Sequence, residues 1–237
     1  MSQMPSSGQQ PAAPELILAL DVDTISKAHN FISILYPQVK IFKVGLQLFT
    51  QAGPSIIEYI RKKGAGVFLD LKFHDIPNTV ACAVRQAVGQ QVEMMTLHAS
   101  GGAVMLQAAS RAATEESEKL KIRKPVLLGV TVLTSQEAAP GEVLRLAAQS
   151  LESGLGGVVC SVREAAFLRG ELKQQFVIVT PGIRPDIKSA DDQKRTATVA
   201  EAVKAGSDFL VVGRPILEAA DPLKAVEEYL RDIHRKA

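Results

Sequence analysis

The chain has 237 residues, 46% of them hydrophobic, enough to bury a sizeable core in one large domain or two small ones. Its 27 Lys and Arg against 25 Asp and Glu leave a formal charge of +2, a balance that calls for neither nucleic acid nor an anionic membrane as a partner. Apolar runs stay well short of the ~20 residues that span a bilayer, and the N-terminus lacks the basic start and unbroken apolar segment of a secretory signal, so a cytoplasmic location is expected.

Residues 1–14, MSQMPSSGQQPAAP, carry no apolar periodicity and cannot bury enough surface to offset their ordering, so a disordered tail is expected ahead of a catalytic domain over 15–237. Eight short apolar runs follow, at 16–20, 41–44, 66–69, 94–97, 126–132, 157–160, 176–179 and 209–212, each expected as a strand. Amphipathic stretches expected as helices lie between and after them, at 25–35, 54–63, 79–88, 103–117, 143–151, 163–168, 198–205 and 222–233. Three helix-to-strand junctions are alike, at Gly64, Gly154 and Gly206, where a glycine just past the last helical residue supplies a left-handed cap. Cys82, in a helical stretch, and Cys160, in a strand, show neither metal-ligand spacing nor a disulfide framework, and small buried apolar residues are expected there.

Eight strand-helix units of about 28 residues each match the unit size of a (β/α)8 TIM barrel, an α/β fold built as a single domain. An open doubly wound sheet is the alternative, but the turn after the first run reads Leu20-Asp21-Val22-Asp23 and carries no G-x-G-x-x-G. In a barrel the chemistry gathers at the carboxyl ends of the strands. There the chain places Asp21 and Asp23, Lys43 and Gly45, Asp70-x-Lys72-x-x-Asp75, His98, Thr134-Ser135, Ser161, Pro181-Gly182-Ile183-Arg184 and Gly213-Arg214-Pro215.

Asp70 and Lys72 are two apart, so a strand running through Lys72 points both to the same side. An ammonium flanked by two carboxylates is held in its charged form, as the carboxylates are in theirs, which describes a cationic proton donor fixed in place. Two other readings compete: a surface ion pair of little energetic weight, and a divalent metal held by Asp70, His74 and Asp75, which the lysine between them would repel. The turns carrying Arg184 and Arg214 follow strands seven and eight, where barrels often bind phosphate, though a plain turn can also carry an arginine. The long connection over 183–196 reads as a lid. Thr134 and Ser135 fit either a contact to a polar ring or a helix cap. His98 has no acid or nucleophile placed beside it, which favours a buried, hydrogen-bonded histidine, and His29 and His234 are expected to be solvated on helices.

The series Leu18-Ala19-Leu20-Asp21, Phe42-Lys43-Val44-Gly45, Asp70-Leu71-Lys72-Phe73-His74-Asp75-Ile76-Pro77-Asn78-Thr79, Leu97-His98-Ala99-Ser100-Gly101-Gly102, Val130-Thr131-Val132-Leu133-Thr134-Ser135, Val179-Thr180-Pro181-Gly182-Ile183-Arg184-Pro185 and Val212-Gly213-Arg214-Pro215 resembles one family. That family is orotidine 5'-phosphate decarboxylase in its shorter bacterial form. The Asp-x-Lys-x-x-Asp core is shared with related barrels acting on sugar phosphates, whereas the flanking Phe-His-Asp-Ile-Pro-Asn-Thr and the paired arginine turns are specific.

The resemblance implies conversion of orotidine 5'-monophosphate to UMP and CO2 in pyrimidine biosynthesis, with no metal or organic cofactor. Lys72 would be the proton donor in a charged network of Lys43, Asp70, Lys72 and Asp75. Asp75, Ile76 and Thr79 would reach into the partner's site in a homodimer. Asp21 would meet the ribose hydroxyls, Thr134 the pyrimidine amide edge, and Gln193 both base and phosphate, while Pro181, Arg184, Gly213 and Arg214 would line the phosphate site. A Mg-dependent sugar-phosphate decarboxylase or aldolase and a non-catalytic nucleotide-phosphate binder are the alternative functions.

Overall fold

The apolar runs form eight parallel strands that close on themselves in sequence order. The computed structural model describes residues 13–133, 139–185 and 196–236. Its strands are β1 (Glu15–Ala19), β2 (Ile41–Gly45), β3 (Gly66–Phe73), β4 (Met94–His98), β5 (Val126–Val130), β6 (Gly157–Val159), β7 (Val177–Thr180) and β8 (Phe209–Val212). Leu18 of β1 pairs with Val212 of β8, so the sheet has no open edge. A parallel strand needs a crossover to reach the start of its neighbour, and each step around the barrel carries at least one helix.

Alternation along the strands divides the apolar residues between two cores. One set, including Ile17, Ile41, Phe68, Met94, Leu128 and Val211, fills the barrel interior. The other, including Leu18, Phe42, Val67 and Leu97, packs outward against Ile57, Val84, Leu106 and other helix residues. The helix Pro77–Gly89 buries Val80, Ala81, Val84, Ala87 and Val88, a one-sided stripe at helical spacing.

The expected barrel is present, and its details differ from the sequence reading in places with physical causes. β3 runs four residues past the expected end, because Asp70, Leu71, Lys72 and Phe73 stay in the sheet despite their charge. Helices over Leu46–Ala52 and Arg214–Leu217 are additions to the expected set; one begins directly after Gly45, the last residue of β2, the other after Gly213, the residue following β8, and both are too short to show a clear apolar period. The three junction glycines adopt the left-handed conformation, with φ of 89°, 86° and 78° at Gly64, Gly154 and Gly206. At Gly64 a Cβ would also come within 2.7 Å of the Tyr36 hydroxyl oxygen.

Cys160 is buried as expected, but Cys82 is exposed, since it lies off the buried stripe of its helix. His29 is stacked on Tyr59, with ring centroids 3.6 Å apart. Of the tail expected over residues 1–14, residues 1–12 lie outside the described residues, while Ala13 packs against the outer core and Pro14 is buried. No helix among the described residues is long and apolar enough to cross a membrane.

Candidate active site

One alternation step above the interior core, at the carboxyl ends of the strands, apolar side chains give way to charged ones. Ile41, Phe68 and Met94 belong to that core, and two residues further along their strands stand Lys43, Asp70 and Thr96. Asp21 occupies the same place beyond Ala19 of β1. These groups connect into a chain of alternating charge. Lys43 Nζ lies 3.0 Å from Asp21 Oδ1 and 3.7 Å from Asp70 Oδ2, and Lys72 Nζ lies 2.9 Å from Asp70 Oδ1.

Exposure grades along this chain. The Lys43 side chain is 10% exposed and that of Asp70 14%, against 29% for Lys72 and 53% for Asp21. The middle is therefore held by the protein, and the ends face the mouth. Burial alone would raise the Asp70 carboxyl, but the ammonium charges of Lys43 and Lys72 and hydrogen bonds from Lys72 and Thr96 outweigh it, leaving the group below its ordinary value. Asp70 is an anion at neutral pH, and removing either lysine would leave part of a buried charge uncompensated.

Gly45, paired with Asp70 across the β2–β3 ladder, leaves room for this arrangement. A Cβ there would lie 3.0 Å from Lys43 Nζ and 3.3 Å from Asp21 Oδ1.

Thr96 is a site residue that sequence reasoning misses. Its hydroxyl accepts the backbone N–H of Lys72 at 2.9 Å and donates to Asp70 Oδ1 at 2.9 Å, and the side chain is fully buried. The available signal is its parity with Met94 and His98 on an otherwise apolar strand. Lys72 itself adopts φ 51°, in the left-handed region that side chains rarely enter.

Asp75 does not join the network within the chain. It is exposed, and its Oδ1 accepts the N–H of Ile76 at 2.6 Å. Ile76 is 67% exposed, and Thr79 is exposed as well. His98 departs from the expected buried, hydrogen-bonded state: it is half-buried and faces His74, with ring centroids 5.4 Å apart. Burial, together with the charges of His74 and Lys72, lowers its pKa against the pull of Asp70, so the imidazole is neutral at pH 7. Among the described residues no group of three or more His, Cys, Asp or Glu is placed to hold a metal ion.

Barrel closure brings the end of β8 beside β1. A Cβ on Gly213 would lie 3.8 Å from Asp21 Oδ2, so the turn carrying half-buried Arg214 borders the charged chain. Pro181 and Arg184 follow β7. Arg184 is 5% exposed; its Nη1 donates to the Ile183 carbonyl at 3.1 Å and its backbone N–H to the Ala197 carbonyl at 2.9 Å. A second backbone bond, from Ala197 N–H to the Gly182 carbonyl, ties the two sides of this connection together. Thr134 and Gln193, and most of the connection read as a lid, lie outside the described residues.

A sequence profile described as the orotidine 5'-phosphate decarboxylase / HUMPS family matches residues 14–229. The chain belongs to this family. Among family relatives, orotidine 5'-phosphate decarboxylase of Saccharophagus degradans is 45% identical over 233 residues, covering 94% of this chain and 96% of the relative. The enzyme of the same name from Vibrio cholerae is 46% identical over 226 residues, covering 91% and 96%. Of the solved structures, orotidine 5'-phosphate decarboxylase from Lactobacillus acidophilus superposes with a TM-score of 0.82 at 34% identity, covering 93% of this chain and 99% of that one. An uncharacterized conserved protein from Geobacillus kaustophilus gives 0.80 at 32% identity, covering 92% and 99%.

Proposed function

We propose that the chain decarboxylates orotidine 5'-monophosphate to UMP and CO2, a step of pyrimidine biosynthesis. The observation that carries this reading is the alternating chain Asp21, Lys43, Asp70, Lys72 at the barrel mouth, ending in an ammonium held 2.9 Å from Asp70. Membership of the family and the shared name of its relatives at 45% identity over nearly the whole chain support it.

The reaction breaks the bond between the pyrimidine C6 and its carboxylate. CO2 leaves, and the electron pair stays on C6 in an orbital that the ring does not delocalise. Stabilisation must therefore come from a charge already in place, because a group that had to reorganise would lose much of its advantage. The Lys72 ammonium faces this carbanion and then delivers an Nζ proton to it, and water reprotonates the amine. Asp70, fixed by two ammonium groups and a hydroxyl, holds Lys72 in position.

Lys43 and Asp21 bind the ribose hydroxyls at the other end of the chain. The Gly213-Arg214 turn beside Asp21 takes the 5'-phosphate, with Pro181 and Arg184 in the adjacent turn, Thr134 on the pyrimidine edge and Gln193 bridging base and phosphate. Phosphate binding far from C6 then contributes to the transition state by fixing the substrate against Lys72.

Asp75, Ile76 and Thr79 act across a homodimer interface, each completing the partner's site. Their exposure, and a 67% exposed Ile76 beside the mouth, support this. A cytoplasmic location fits a biosynthetic enzyme with two free cysteines.

The direct test is stoichiometric. Purified protein supplied with orotidine 5'-monophosphate should release one CO2 for each UMP formed, and Lys72→Ala should bind UMP yet release none. CO2 release at the wild-type rate by Lys72→Ala would overturn the proton-donor role.

A further inference from the structure

We propose that Thr96 is a positioning residue for Lys72, holding the backbone from which the ammonium reaches the substrate; this rests on the decarboxylase reading above. The register of β3 against β4 supplies the reason. Leu69 pairs with Met95 and Phe73 with Leu97, so three residues of β3, Asp70 to Lys72, face the single residue Thr96. Such a bulge leaves main-chain groups without ladder partners. The N–H of Lys72 is one of them, and the Thr96 hydroxyl accepts it at 2.9 Å.

The same hydroxyl can donate only one hydrogen, and it goes to Asp70 Oδ1 at 2.9 Å, the oxygen to which Lys72 Nζ also donates at 2.9 Å. A closed ring results: Lys72 backbone to Thr96, Thr96 to Asp70, Asp70 to the Lys72 side chain. It locks a lysine whose backbone sits at φ 51°, a conformation disfavoured for any residue with a Cβ and maintained only where its surroundings demand it. Thr96 is fully buried, so no water stands ready to replace its oxygen.

The ring makes two separable predictions. Without the hydroxyl, Lys72 is free to relax toward ordinary φ, and its Nζ moves relative to C6 while the phosphate contacts stay as they were. The loss falls on kcat, not KM, and should be on the order of 10- to 100-fold, the scale of a displacement of about 1 Å at a reacting group. Asp70 also loses a hydrogen bond that favours its ionised form, so its pKa rises and the acid limb of the kcat profile moves to higher pH.

The test compares wild type, Thr96→Val, Thr96→Ser and Thr96→Ala in steady-state orotidylate turnover across pH, with UMP affinity and thermal melting measured in parallel. Thr96→Val keeps the volume and removes the hydroxyl; Thr96→Ser removes only the methyl and keeps the hydroxyl, whereas Thr96→Ala removes both. The expected result is a loss of kcat in Thr96→Val and Thr96→Ala, near-wild-type kcat in Thr96→Ser, unchanged UMP affinity and an upward-shifted acid limb. Wild-type kcat in Thr96→Val, or equal loss in Thr96→Ser and Thr96→Ala, overturns the proposal while leaving the decarboxylase reading intact. If Thr96→Val does not fold, the serine and alanine pair alone decides. An inactive wild-type enzyme would instead remove the decarboxylase reading.

Discussion

Asp70 is the residue on which the site turns, since one carboxylate meets two ammonium groups and a hydroxyl. Its pKa is lower in the folded chain than in an unfolded one, so its ionic contacts contribute stability that is complete above the ordinary carboxylate value of about 3.9 and lost as pH falls through the lower folded value. The stability difference between wild type and Asp70→Asn, measured by urea denaturation, should stay constant from about pH 5 to 7 and shrink below about pH 4. A difference that grew on acidification would contradict the assignment. Gly45 makes a complementary prediction. Its φ of −93° suits any residue, so Gly45→Ala introduces no backbone strain but presses a methyl group toward Lys43 and Asp21. Turnover should fall by roughly tenfold or more, with melting little changed, because displaced charges at a site are felt in rate before stability. Melting loss without a rate effect would show that the Lys43 contacts are structural only.

At the scale of elements, the carboxyl and amino ends of the barrel do different work. At the amino end Arg169, on the helix Val162–Glu171, donates to the Gly206 carbonyl at 3.0 and 2.9 Å, to the Phe176 carbonyl at 2.7 Å and to Asp208 at 2.6 Å. Asp208 in turn accepts the N–H of Ile178 at 2.6 Å, so one guanidinium clips the starts of β7 and β8 together. Arg169→Ala should destabilise the chain by about 2–3 kcal/mol, lowering the melting temperature by roughly 4–12 °C, with kcat preserved. A stable but inactive variant would refute that separation. Much of the element pattern is legible in the sequence, since apolar runs bounded by left-handed glycines at Gly64, Gly154 and Gly206 mark strand starts by backbone chemistry alone. The extension of β3 is only conditional there: Asp70 and Lys72 share a face if the strand continues, and the groups that hold them in the sheet, Lys43 against the Asp70 carboxylate and Thr96 against that carboxylate and the Lys72 N–H, come from neighbouring strands. Thr96 escapes notice for the same reason: a threonine in a strand acquires meaning only from the bulge opposite, and a bulge is a property of two strands.

For the whole molecule, closure between β8 and β1 turns a linear set of motifs into one site. It brings Gly213 against Asp21, residues that follow the last and the first strand, and so joins the Gly213-Arg214 turn to the charged chain. That the motifs around Lys72 and Arg214 share one mouth is legible in the sequence, because barrel geometry gathers the carboxyl ends of all eight strands on one face. Asp75 shows the opposite case. It stands close to Lys72 in sequence but outside the network of its own chain, and its proposed place in the partner's site makes a dimer test possible. Inactive Lys72→Ala subunits mixed with inactive Asp75→Asn subunits should regain activity, since one of the two sites in a mixed dimer has both residues intact. Failure to regain any activity from dimers shown to exchange would place Asp75 in its own subunit's site.

The most direct measurement is the orotate absorbance band of orotidine 5'-monophosphate, followed during incubation with purified protein in the presence and absence of a metal chelator. The expected result is complete loss of the band as UMP forms, at the same rate with chelator. An unchanged band would contradict decarboxylase function, and loss abolished by the chelator would contradict a mechanism carried by the Lys72 ammonium in favour of a metal-dependent relative.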